Sequence, residues 1–145
     1  MMDKGKNIVN ELKKGTEKYF HPIGSITPQD IEDIVFSHIV STIDEYGIKA
    51  ENINVVLAGS RCRGIENTDS DIDVVVEYQG DISEDALFDV LNESCLEIVG
   101  ISVDINPITE YKTGTLEIYL PCVEEYLQNK SFQKLEADIK VTKKQ

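Results

Sequence analysis

The residues most able to do chemistry gather in one stretch, Ala58-Gly59-Ser60-Arg61-Cys62-Arg63-Gly64, with Asp71-Ile72-Asp73 shortly after it. Gly59 allows a sharp backbone turn and close approach to a ligand. Ser60 and the amides after it, at the start of an expected short helix, can donate to a phosphate. Asp71 and Asp73 are two apart at the start of an apolar run, so on a strand both carboxylates face one side. Carboxylates so placed repel each other, and a hard divalent cation is the usual remedy. Magnesium, which combines carboxylate oxygens with those of substrate phosphates, suits them. Ser102, Asp104 and Asn106 likewise share one face of a later strand. If the two strands are neighbours, Asp104 joins the other two aspartates. Three carboxylates facing a phosphate-binding turn suit two-metal phosphoryl or nucleotidyl transfer.

Each piece alone is weak. An Asp-x-Asp arises by chance in an acidic chain, Gly-Ser before a helix is usually only a turn, and a lone Asp104 is more often a solvated strand residue. Their order, between apolar strands, is specific. Gly59 and Gly64 have the glycine spacing of a P-loop, but Ile65-Glu66 stand where that loop needs Lys and Ser or Thr. No G-x-G-x-x-G dinucleotide fingerprint is present. His21 and His38 are the only histidines, His38 falls on an apolar helix face, and no zinc or Ser-His-Asp spacing emerges. Cys62, between Arg61 and Arg63, has either a lowered thiol pKa or the role of a small packing residue, and packing is the preferred reading. Tyr111, Tyr119 and Tyr126 are expected in the core or at its rim, with stacking on a nucleobase open to one of them.

The elements that must position these groups read as α/β, a small mixed sheet covered by helices. A first helix is expected from about Asn7 to Tyr19, ended by His21-Pro22-Ile23-Gly24-Ser25. A second begins with Thr27 as N-cap, Pro28 at the first helical position and Asp30 three residues past the cap. It carries Ile31, Ile34, Val35, His38, Ile39, Thr42 and Ile43 on one side as far as Tyr46-Gly47. Strands follow at Ile53–Ala58, at Ile72–Tyr78, which is central by its nearly unbroken apolar character, and at Ile101–Asn106, stopped by Pro107. Ser83 caps a helix reaching about Cys95 with Ala86, Leu87, Val90 and Leu91 inward. A last helix from about Thr115 carries Leu116 to Leu127, kinked or delayed by Pro121. The expected organisation is one domain over residues 1–145, with a core at about 27–130 and a polar tail at 131–145.

Charge narrows the partners. The net charge of 145 residues is -13. Between Gln29 and Glu110 there are 19 acidic residues and three basic ones, Lys49, Arg61 and Arg63. An acidic body repels a phosphate backbone, so tight nonspecific nucleic-acid binding is not expected. The only two arginines lie two residues apart, by chance or as a small anion site. No apolar run is long enough to span a membrane. The start, Met1-Met2-Asp3-Lys4-Gly5-Lys6, lacks an apolar signal core, and Cys62, Cys95 and Cys122 read as reduced thiols; a cytoplasmic location is expected.

The sequence from Gly59-Ser60 through Arg63-Gly64 to Ser70-Asp71-Ile72-Asp73, with Asp104 in a later strand, resembles the DNA-polymerase-β-like nucleotidyltransferases. It is most similar to the minimal nucleotidyltransferases of bacteria and archaea, whose relatives also occur in large proteins of mobile elements. Cys62 departs from the alanine typical there. The resemblance implies a polymerase-β-like palm fold and magnesium-dependent transfer of a nucleoside monophosphate from a triphosphate, ATP by expectation, to an acceptor hydroxyl on a protein, a small molecule or an RNA end. It implies that Gly59 and Ser60 hold the β- and γ-phosphates, that Asp71 and Asp73 bind two magnesium ions, and that Asp104 completes the catalytic-metal site and helps deprotonate the acceptor. Arg63 would brace the loop or neutralise triphosphate charge. Arg61 stands at a variable position. The resemblance also implies an alternative, an antitoxin-like or nucleotide-binding subunit that neutralises a helical toxin partner.

Overall fold

The computed structural model describes residues 4–67, 69–123 and 125. Its elements run α1 (Lys4–Tyr19), α2 (Pro28–Tyr46), β1 (Ala50–Ala58), a single 3-10 turn (Ser60–Arg63), β2 (Ile72–Gly80), α3 (Glu84–Asn92), β3 (Glu97–Ile98) and β4 (Ile101–Ile108). Residues 116–123 are helical and form α4. The four strands make one mixed sheet in the order β1-β2-β4-β3, with β2 antiparallel to β1 and parallel to β4.

Alternation along the strands decides which helix lies where. Ile72, Val74, Val76 and Tyr78 of β2, with Val103 and Ile105 of β4, are buried on one face against Ile31, Val35 and Ile39 of α2 and Leu87 and Leu91 of α3. The opposite face presents Val56, Ala58, Val75 and Ile108, covered by Leu116 and Leu120 of α4 with Val9 and Leu12 of α1 beside them. Among the described residues that second cover is partial. It leaves the N-terminal ends of β2 and β4 facing a cavity.

The start of α2 follows its local chemistry. Thr27 Oγ1 accepts from Asp30 N at 3.1 Å, and the Asp30 carboxylate accepts from Thr27 N at 2.9 Å. Gly47, at φ 64°, closes the helix in a left-handed conformation.

Elsewhere the chain departs from expectation. Ile34 is 38% exposed and Ala86 is exposed, because the apolar residues buried on these helices are Ile31, Val35 and Ile39 of α2 and Leu87 and Leu91 of α3. Helix α3 ends at Asn92, whose side chain bonds both the backbone N and the carbonyl of Ile105 on β4. Pro107 does not stop β4. It pairs in register with Val76, and by then the two-residue β3 has ended, so no strand on that side needs its missing N–H. Helix α4 runs through Pro121 from residue 116, so the proline does not delay it. Tyr126, Leu127 and the expected tail at 131–145 lie outside the described residues.

Two carboxylates fix where α4 starts. Glu77 of β2 accepts from Leu116 N at 2.8 Å. Buried Glu84 accepts from Thr109 N at 2.7 Å, Thr113 N at 3.0 Å and both threonine hydroxyls. Burial pushes the Glu84 carboxyl up, but the hydrogen bonds from Thr113 and Thr109 outweigh it and hold its pKa below the usual value of 4.5. A lowered carboxyl contributes stability above its unfolded pKa and loses it as pH falls through the folded value. Glu84→Gln is therefore expected to cost about 2 kcal/mol at neutral pH and to flatten the loss of stability below about pH 4.5, measured by urea unfolding along a pH series.

Candidate active site

Strand β1 delivers the chain to Gly59 at φ 79° and ψ −168°, a conformation essentially reserved for glycine. A Cβ at this position would collide with the Asp73 carboxylate, so the aspartate lies directly over the glycine backbone. The 3-10 turn follows, closed by bonds from Cys62 N to the Gly59 carbonyl and from Ile65 N to the Ser60 carbonyl. Gly64, at φ 65°, ends it.

The loop into β2 is braced from inside. Arg61 is 8% exposed and its Nη2 donates to the Ser70 carbonyl at 2.8 Å, one residue before Asp71. Ser70 Oγ in turn accepts from Asn67 N. Asp71 is exposed and stands one residue ahead of β2 rather than within it. Asp73 pairs in register with Ala58 on one side and Asp104 on the other.

Gly59, Ser60, Asp73, Asp104, Asn106 and Tyr119 thus line one cavity of about 510 Å³, together with Cys122 and Val123 of α4. Asp71 lies outside this lining, yet its charge reaches the site: burial first, then the Asp71 charge, pushes the Asp104 carboxyl above its usual pKa. Among the described residues no Lys, Arg or His lines the cavity. Nor do three or more His, Cys, Asp or Glu side chains there form a ready-made metal cage. What the cavity offers is two carboxylates from adjacent strands. That set suits an ion whose remaining ligands are phosphate oxygens and water.

The other candidates sort by their contacts. Arg63 lines a smaller recess beside Gly59 and Cys62, and its guanidinium lies against Gly15 of α1, where any side chain would strike it. Cys62 is buried, and burial pushes its thiol up to about 11, so it is a packing residue rather than a nucleophile. His38 Nε2 sits 3.1 Å from the Leu91 carbonyl, as a packed histidine would, and His21 Nδ1 sits 2.9 Å from Glu66 Oε2. Tyr111 is 90% exposed. Tyr119 is the tyrosine that reaches the cavity, and Asn106 Nδ2 donates to its hydroxyl at 3.0 Å. Burial raises the Tyr119 phenol pKa, aided by the Asp73 and Asp104 charges and opposed by the Asn106 bond. Its sequence signal was weak: it adjoins Leu120, on the margin of the stripe that covers the sheet.

The nucleotidyltransferase domain family matches residues 37–144. The chain belongs to this family. The match takes in the second half of α2, the whole sheet and every cavity residue, while α1 precedes it. Comparisons with curated proteins and with solved structures give no match. Nucleotidyl transfer is the chemistry of this family, and its domains generally use divalent metals. No helix among the described residues is long and apolar enough to cross a membrane.

The nucleotidyltransferase domain should be unusually intolerant of a methyl group at Gly59. Gly59→Ala is expected to lose about 2–4 kcal/mol, from backbone strain plus displacement of Asp73. Gly47→Ala, where a Cβ meets nothing, should lose only about 1 kcal/mol. Urea unfolding of both variants checks the difference; equal losses would mean that Asp73 is not held over Gly59.

Proposed function

We propose that this domain transfers a nucleoside monophosphate from a nucleoside triphosphate, with ATP as the expected donor, to an acceptor hydroxyl, in a magnesium-dependent reaction. One observation carries the reading: the Gly59-Ser60 turn and the paired carboxylates Asp73 and Asp104 border a single nucleotide-sized cavity. Gly59 lets the Asp73 carboxylate sit against the turn, and Ser60 donates to the phosphates. Asp71, Asp73 and Asp104 are the residues that would hold magnesium, and the ions would supply the positive charge that the described cavity wall lacks. The acceptor oxygen forms a bond to the α-phosphorus, the bond from that phosphorus to the bridging oxygen breaks, and pyrophosphate leaves. The acceptor's proton passes to Asp104.

Electrostatics gives this reading a sharp test. A triphosphate tail brought beside two carboxylates without a cation is repelled. ATP binding should therefore vanish in EDTA and return with millimolar magnesium, as followed by calorimetry. Magnesium and ATP together should raise the melting temperature more than either alone.

Asp104→Asn separates a chemical aspartate from a structural one. A carboxyl whose folded pKa is raised favours the folded state most at acid pH, and that contribution is lost as pH rises through the folded value. At neutral pH the ionised Asp104 is thus a source of instability. Asp104→Asn without nucleotide should melt no lower than the parent, while transfer of label from ATP in a lysate falls by orders of magnitude. A clearly destabilised variant with normal transfer would sink the assignment.

A further inference from the structure

One wall of the cavity differs in chemistry from the Gly59-Ser60 turn and the carboxylates. Tyr119, Cys122 and Val123 of α4 make it largely apolar and uncharged. Asn106 stands two residues beyond Asp104 on the same face of β4, which moves it roughly 7 Å farther along the strand. Its side-chain amide donates to the Tyr119 hydroxyl at 3.0 Å. The phenol oxygen is thereby engaged as an acceptor, and its own proton finds no acceptor among the described residues. The ring is also firmly placed, because α4 is tied at Leu116 to Glu77 one turn before it.

We propose that Tyr119 and Asn106 form the nucleoside side of the site, receiving the sugar and base of the donor while Gly59 and Ser60 receive its phosphates. This rests on the function proposed above and extends it. A nucleoside triphosphate is a charged tail joined to a flat neutral head, and the cavity likewise combines a turn with phosphate-binding donors and an uncharged aromatic wall. Tyr119, Cys122 and Val123 bring no positive charge to attract a phosphate there. A neutral sugar hydroxyl or base acceptor is not repelled there, and it can take the unclaimed phenol proton. An aromatic face supplies stacking area without adding charge. The volume of about 510 Å³ falls in the range of sites that enclose one small ligand.

The test compares two probes that share a tail and differ in the head, ATP and inorganic tripolyphosphate, each with magnesium, by calorimetry on the full chain. The parent should bind ATP about tenfold or more tightly than tripolyphosphate. Tyr119→Ala should weaken ATP by about tenfold and leave tripolyphosphate unchanged. Tyr119→Phe, which keeps the ring and the fold, should lose about threefold for ATP alone. Equal weakening of both probes, or of neither, overturns the inference. So does a parent that binds the two probes equally, although the proposed function then stands. A variant with intact ATP affinity but impaired transfer would place Tyr119 on the acceptor side and overturns it too. A parent that binds neither probe overturns the proposed function itself.

Discussion

The parallel pairing of β2 with β4 is the constraint on which the rest of the site depends. Ile72, Val74 and Val76 alternate with Asp73 and Val75, and Val103 and Ile105 flank Asp104, so one face of both strands is buried and the other carries the carboxylates. A slip of one residue would turn the entire apolar set of a strand outward. Burying those five side chains contributes on the order of 10 kcal/mol. Holding like charges on adjacent strands costs roughly 1–3 kcal/mol, toward the lower end where water screens them. Packing wins by a wide margin. The sheet therefore imposes a register that electrostatics alone would reject, and it stores in the site an affinity for positive charge.

Two arginines lie in the turn. Arg61 is turned inward to the Ser70 carbonyl, and Arg63 lies along α1 at Gly15. Gly15 matters because only a residue without a side chain lets the helix pass this close to a guanidinium. Both cations brace the turn and the loop that leads to Asp71. The divalent ions generally used by domains of this family are one source of counter-charge for such carboxylates.

How much of this could be read in advance differs by element. The chemistry of Thr27-Pro28 and Asp30 announced the start of α2, and the unbroken apolar run from Ile72 announced a central strand, because both signals are local. The Gly59-Ser60 turn and the face shared by Asp104 and Asn106 were legible for the same reason. Pro107 misled because its effect depends on a neighbour, β3, too short to leave a pattern. Ile34 and Ala86 misled because helical spacing marks a broad stripe while the sheet covers only its middle. Which tyrosine lines the cavity could not be chosen among Tyr111, Tyr119 and Tyr126, because that requires knowing that α4 folds back over β4. Arg61 could not be assigned from spacing, since its partner is a backbone carbonyl.

Carboxylates carry both the architecture and the proposed chemistry, and their surroundings tell the roles apart. Glu32 accepts from Leu57 N, Glu77 from Leu116 N, and Glu84 from Thr109 N and Thr113 N. Each satisfies backbone donors that would otherwise be buried or left at an element's end, so each is structural. Asp104 accepts no protein hydrogen bond among the described residues and has Asp71 acting on it instead. Burial raises both Glu84 and Asp104, yet donors pull Glu84 below its usual pKa, while at Asp104 burial goes unopposed and the Asp71 charge adds to it. Burial is common to both, so it cannot be what distinguishes them; the sign of the neighbours does. A carboxylate given donors by its own fold has its partner already, whereas one given only another carboxylate is left to find it in a ligand.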